Sequence, residues 1–177
     1  RQVVQEALTM IRAVDPATVD IRANVGMHLG PVNCDPSQIK QLVVKLSNNA
    51  YQALTGHESY IEISLNEIMV SDDSGSNGAN LGPGEYVVLE VADTGEGMDA
   101  ETVQRAFEPF YTTRGVGDGT GLGLSVVHGI VKNHDGEIVV ESEPGSGTRI
   151  RVYLPLAEEV TGEFQLKGED DEQDTRN

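Results

Sequence analysis

The chain has 177 residues, one cysteine, no tryptophan and a formal charge of −17 from 29 acidic and 12 basic side chains. That length suits one domain with a modest tail, and the charge excludes general nucleic-acid affinity because phosphate backbones are repelled. A lone Cys34 excludes an internal disulfide and the common zinc patterns, while no run approaches the roughly 18 apolar residues a membrane helix needs and no signal peptide opens the chain, so a soluble, cytoplasmic segment without direct membrane contact is expected.

Hydrophobic residues make up 38% and aromatics 5%, so the core has to be built from Val, Leu, Ile and Ala packed between layers, as when helices cover a sheet. Cys34 reads as a small, partly buried apolar residue. An anionic ligand would have to be held locally, by backbone N–H groups, a helix N-terminus or a bridging divalent cation.

Residues 2–14 place Val3, Val4, Ala7, Leu8, Ile11 and Val14 at helical spacing, and Asp15-Pro16 ends that helix. Val19, Ile21 and Ala23 alternate as a short strand. Asp35-Pro36 is an N-cap followed by proline at the first helical position, opening a helix that runs through Leu54 with Ile39, Leu42, Val43, Leu46, Ala50 and Ala53 as its buried stripe. Residues 60–70 read as a strand whose apolar face holds Ile61, Ile63 and Leu65, with Ile68 and Val70 as further candidates.

The polar, Gly-rich stretch 71–85 reads as a long hairpin loop. A strand from Tyr86 to Ala92 runs into Asp93, a short helix follows near 99–106, and an irregular Gly-rich segment extends to about 120. Helical spacing returns with Leu122, Leu124, Val126, Val127, Ile130 and Val131. Asp135-Gly136 turns the chain into two strands, 137–142 and 147–154, joined through Pro144-Gly145. Beyond Pro155 the pattern dissolves into a stretch with eight acids and two bases, which reads as a disordered tail. The organisation expected is a domain over 1–156 and an acidic tail or linker over 157–177.

Four segments carry candidate chemistry. In KLSNNAYQA (45–53) Asn49 sits among apolar neighbours with Lys45 one turn earlier on the same face. A buried amide needs a partner, either an internal helix hydrogen bond or a ligand. DTGEGM, Asp93 to Met98, follows a strand directly: its glycines let a flat ligand approach the backbone, and its carboxylate can accept from an exocyclic amine, although such a sequence also makes an ordinary strand-ending turn. AFEPFYTTR (106–114) sets two Phe about a Pro, either as a hydrophobic plug or as the anchor of a lid that offers Thr113 and Arg114 to a phosphate. GDGTGLGLS (117–125) exposes backbone N–H groups at a helix start; with no strand before it and no Gly-Lys-Ser/Thr after it, it is neither a dinucleotide fingerprint nor a Walker loop.

Taken in order, these segments resemble the N, G1, F and G2 boxes of the histidine kinases, within the GHKL group of ATPases and kinases. The likeness spans about residues 1–156, includes the closing DGEIVVESEPGSGTRIRVYLP, and is carried most specifically by FEPFYTTR followed by GTGLGLSVVHGIV. It implies an α/β (α+β) two-layer sandwich: a mixed, mostly antiparallel sheet of about five strands covered on one face by three helices. It also implies ATP and Mg2+ as ligands, and transfer of the γ-phosphoryl group to a histidine.

Residue by residue, the resemblance matches Asn49 to the amide that coordinates magnesium, and Asp93 to the carboxylate that accepts from the adenine amine. Gly95 and Gly97 match the turn that admits adenine, with Met98 beside them, and Thr148 matches a residue that helps hold the base. Phe107 and Phe110 match the lid anchor, Thr113 lies on the lid, and Gly119, Gly121, Leu122, Gly123 and Leu124 match its phosphate-facing end. Arg114 falls where the family places a Lys or Arg near the γ-phosphate.

Two departures stand out. Lys45 replaces the usual first Asn of the N box, where the chaperone, gyrase and mismatch-repair ATPases carry a general-base Glu; a protonated lysine cannot activate water, and Lys45 is expected to approach a phosphate or a neighbouring acid. Tyr51-Gln52 replaces the commoner Arg-Asp or Arg-Glu. None of His28, His57, His128 and His134 lies in the dimerisation helix that carries the family's phosphoacceptor. The implied partners are therefore the protein's own upstream dimerisation and phosphoacceptor domain and a downstream response regulator or receiver domain, with a homodimeric full-length protein and a monomeric fragment. An ATPase of the chaperone or gyrase type and a non-catalytic nucleotide-binding regulatory module are the rival readings.

Overall fold

The computed structural model describes residues 1–14, 19–55, 59–71, 79–113 and 121–157. In chain order the elements are α1 (Gln2–Val14), β1 (Asp20–Val25), α2 (Pro36–Ala53), β2 (Tyr60–Val70), β3 (Gly84–Asp93), α3 (Ala100–Arg105), α4 (Gly123–Asn133), β4 (Glu137–Glu143) and β5 (Gly147–Pro155). The five strands form one sheet in the order β1-β2-β3-β5-β4. β1 pairs parallel with β2 through the α2 crossover, and the remaining pairs are antiparallel. Helices α1, α2 and α4 pack on one face, which is the two-layer sandwich the resemblance implied.

Helix α2 starts where Asp35-Pro36 demands. The Asp35 carboxylate accepts from the Ser37 and Gln38 N–H groups at 2.8 and 3.3 Å, satisfying donors that a helix N-terminus otherwise leaves orphaned. Those same N–H groups hold the Asp35 carboxyl below its usual pKa. The same end of the helix layer is pinned by His134, whose Nε2 accepts from the Asp35 N–H at 3.0 Å. Its Nδ1 lies 2.7 Å from the Ile130 carbonyl, so the proton sits on Nδ1 and one imidazole ties the C-terminus of α4 to the cap of α2.

The core lies between these helices and the inner sheet face: Leu42, Val43, Leu46, Ile61, Ile63, Val127, Val131 and Val152 are all fully buried. Cys34 is half-buried against this cluster. The apolar face of β2 ends at Leu65. Ile68 and Val70 are even-numbered, so the two-residue period of a strand turns them to the opposite face, where Ile68 is 37% exposed while Val70 is buried. That outer face is largely polar. Arg151 makes a two-pronged pair with Glu141 at 2.8 and 2.9 Å and a further bond to Glu90 at 2.7 Å, and these bonds, Glu141 foremost, raise its pKa above the ordinary value. A small second cluster of Ala79, Val88 and Tyr153 closes one end of it.

The acidic tail from 158 onward, residues 72–78 of the expected 71–85 loop, and His57 lie outside the described residues; the loop ends earlier than expected, since Gly84 and Glu85 already belong to β3. No described helix is long and apolar enough to cross a membrane.

Candidate nucleotide site

The central strand β3 delivers Asp93 to the end of the sheet, paired across β5 with Thr148. The turn that follows is built against two neighbours. The Glu96 N–H donates to the Ala53 carbonyl at 2.9 Å, and the Gly145 N–H donates to the Glu96 carbonyl at 2.7 Å. A Cβ at Gly95 would lie 2.4 Å from the Ala53 carbonyl oxygen, and one at Gly97, whose φ is +68°, would lie 2.0 Å from that of Glu143. Both glycines are therefore required by the protein's own backbone, which locks the turn between the last turn of α2 and the β4–β5 hairpin.

Asp93 is held by two donors on one oxygen. Its Oδ1 accepts from the Gly95 N–H at 2.8 Å and the Thr148 N–H at 3.3 Å. Among the described residues Oδ2 takes no hydrogen bond and is left for a donor in the cavity. Burial raises the Asp93 pKa, the two N–H bonds oppose that rise, and nearby Glu96 adds to it.

Behind Thr148 stands Ser142, which the sequence reading did not single out. Its hydroxyl donates to the Gly147 carbonyl at 2.9 Å and accepts from the Met98 N–H at 2.8 Å. With its one proton committed, its 2.9 Å contact with Thr148 Oγ1 has Thr148 as the donor. Thr148 consequently turns only acceptor lone pairs toward the cavity. Asp93 Oδ2 and Thr148 Oγ1 together form an acceptor pair suited to an exocyclic amine and unsuited to a carbonyl.

One cavity of about 780 Å³ is lined by Lys45, Asn49, Asp93, Gly97, Met98, Thr113, Gly121, Gly123, Leu124 and Thr148, among others. The side-chain amide of Asn49, a half-buried residue, makes no hydrogen bond among the described residues, and a Cβ on Gly123 at the start of α4 would lie 3.0 Å from its Oδ1. The spacing along α2 orders the site: Ala53 touches the Asp93 turn, Asn49 lies one turn back, and Lys45 one turn further, each step about 6 Å along the axis.

Besides Phe110, three described residues picked from sequence stand outside the cavity wall. Gly95 is buried under Ala53, Leu122 precedes α4 as its N-cap residue, and Phe107 packs its ring on His128 at 5.3 Å between centroids. Arg114 and Gly119 lie outside the described residues. The ends of the segment that holds them are joined: the Phe110 N–H donates to the Gly121 carbonyl at 2.9 Å. Phe110 adopts φ +68° and is 75% exposed, and Tyr111 is fixed to α3 by the Arg105 guanidinium 4.2 Å over its ring.

The profile of the family described as "Histidine kinase-, DNA gyrase B-, and HSP90-like ATPase" matches residues 34–158. The chain belongs to this family. Within it, the relatives are of the histidine-kinase type: sensor kinase CckA of Brucella abortus is 40% identical over 137 residues, covering 77% of this chain and 14% of that protein. Sensor histidine kinase ZraS of Klebsiella oxytoca is 39% identical over 125 residues, covering 71% of the chain and 23% of its own length. The chain thus spans under a quarter of either relative. Among solved structures, a nucleotide-free catalytic domain of histidine kinase ThkA superposes with a TM-score of 0.66 at 25% identity, covering 87% of this chain and 92% of that one. Full-length ShkA in complex with AMPPNP shares the fold, with a TM-score of 0.66 at 23% identity over 88% of this chain and 30% of its own. This is the ATP-binding catalytic-domain type of the histidine-kinase branch of the family.

Proposed function

We propose that residues 1–156 bind ATP in the 780 Å³ cavity and donate its γ-phosphoryl group to a histidine on a dimerisation domain outside this chain. The observation that carries the reading is that Asn49 and Asp93, one on a helix and one at a strand end, line the same cavity. In this reading Asp93 Oδ2 and Thr148 receive the adenine amine, Gly97 and Met98 border the base, and the α4 N-terminus faces the phosphates with Gly121, Gly123 and Leu124. Phe107 braces the lid from behind, with Gly95 and Leu122 holding the backbone. Thr113 lines the cavity, and the resemblance assigns Arg114 and Gly119, outside the described residues, to the lid's phosphate-facing stretch.

The amide of Asn49 beside Gly123, without a partner among the described residues, fits a magnesium ion. No cluster of three or more His, Cys, Asp or Glu able to hold a metal occurs among the described residues, so such an ion would arrive with the phosphates and take one neutral oxygen from the protein. When bound, it would supply neutralisation of phosphate charge. The chain's own contribution is to orient the nucleotide along α2 and expose its last phosphate to an incoming imidazole nitrogen, which forms the new N–P bond as the bond to the ADP oxygen breaks.

Among the histidines, His128 is packed on Phe107 and His134 is committed to Asp35 and Ile130, consistent with an acceptor supplied elsewhere. The partners in this reading are an upstream dimerisation domain and a response regulator or receiver domain. Hydrolysis is the second reading, and Lys45 on the cavity wall disfavours it, because a lysine in its ordinary state cannot take a proton from water. Mixing the domain with a separately prepared dimerisation domain and γ-labelled ATP tests both. Label on histidine is the expected result; free phosphate alone would favour the ATPase, and no turnover with retained binding would leave a regulatory module.

A further inference from the structure

The cavity is poorly suited to an anion except at one end. Its charged lining residues among those described are Asp93, Glu96, Asp99 and Lys45, within a chain of net charge −17. The three acids all lie in or just after the Asp93 turn. Lys45 lies at the opposite end, about 12 Å from Ala53 along α2, and it makes no hydrogen bond or ion pair among the described residues. A cation on a cavity wall with no partner among the described residues is chemically unfinished.

From this placement we infer that Lys45 is the binding partner of the terminal phosphate, discriminating a nucleoside triphosphate from a diphosphate and supplying part of the cation requirement that would otherwise fall on a metal ion. The inference rests on the nucleotide reading above. With Asp93 gripping the base and Asn49 one turn nearer the middle, only the far end of a triphosphate comes within reach of Lys45; a diphosphate stops short of it. Because the charge is covalently part of the protein, this contact persists when divalent ions are removed.

The test is nucleotide binding by calorimetry with ATP and with ADP, each in magnesium and in excess EDTA, for the wild type, Lys45→Asn and Lys45→Arg. Loss of a charge-assisted phosphate contact corresponds to roughly a tenfold weakening. In EDTA, Lys45→Asn is expected to bind ATP about tenfold more weakly than the wild type, to bind ADP almost unchanged, and to be rescued by Lys45→Arg. Equal weakening of ATP and ADP, or no weakening of either, would overturn the inference while leaving the nucleotide site standing. Failure of the wild type to bind either nucleotide even with magnesium would overturn the nucleotide reading and this inference with it. Thermal melting of each variant checks folding, and Lys45→Gln substitutes for Lys45→Asn should the latter not fold.

Discussion

Gly123 and the Asn49 amide touch so closely that a methyl group on Gly123 would come within 3.0 Å of Oδ1 and 3.3 Å of Nδ2. Gly123 is the first residue of α4, where alanine is a better helix former by up to about 1 kcal/mol. Stability and binding should therefore separate. Gly123→Ala is expected to melt at the wild-type temperature or above while binding Mg-ATP at least tenfold more weakly, since a tenfold change needs only about 1.4 kcal/mol of misplacement. Unchanged ATP affinity in a folded variant would show that the amide is not the phosphate-side contact.

Asp93 carries the opposite cost. Its folded-state pKa is raised by burial, so the ionised form is the one that weakens the empty fold. The stability linked to its proton is present below the unfolded pKa and is lost as pH rises through the folded one. Asp93→Asn keeps an oxygen for the Gly95 and Thr148 N–H groups, and is expected to be at least as stable as wild type at neutral pH, the advantage shrinking as acid protonates Asp93 in the wild type. ATP affinity should run the other way, falling in the wild type as pH drops through that pKa. Denaturant melts of the two proteins from pH 7 downward, with binding curves alongside, measure both trends; a destabilised Asp93→Asn at neutral pH would contradict the first.

Ser142 contributes without facing the ligand. In Ser142→Ala the Met98 N–H loses its acceptor, at a cost of about 1–3 kcal/mol, and the Thr148 hydroxyl becomes free to turn and donate. Selectivity between an amino-purine and an oxo-purine nucleotide should relax several-fold, read as the ratio of ATP to ITP affinities in competition. If stability drops but the ratio stays fixed, Ser142 is merely structural.

His134 binds the two helices together far from the cavity. His134→Ala leaves the Asp35 N–H and the Ile130 carbonyl without their partner, and is expected to cost about 1–2 kcal/mol with little change in the ATP-to-ITP ratio. A denaturation midpoint equal to that of the wild type would rule this clip out as a stabilising contact.

The elements were legible where local chemistry decides them. Asp35-Pro36 set the start of α2, and alternation set β2, β4 and β5 to within a residue or two. Ile68 was misread because apolar identity alone does not keep track of the two-residue period. Asn49, Asp93 and Thr148 could be picked out through their motifs, yet their meeting in one cavity depends on the β3–β5 register and the α2 crossover, which no short pattern encodes. Ser142 escaped because a serine in a strand carries no signal; its importance arises from Met98, Gly147 and Thr148 converging on one oxygen. The reason for Gly95 and Gly97 was likewise invisible, since the carbonyls that crowd them belong to Ala53 and Glu143.

The hydrogen bond from Phe110 to Gly121 ties off the stretch between them at its neck. Residues can be added to or removed from that stretch without pulling on either wall, each doubling of its length costing only about 0.6 kcal/mol of closure entropy. A change of length there is consequently tolerated by both walls, while Gly121, at φ +63° and with the Phe110 backbone where a Cβ would stand, keeps the neck closed.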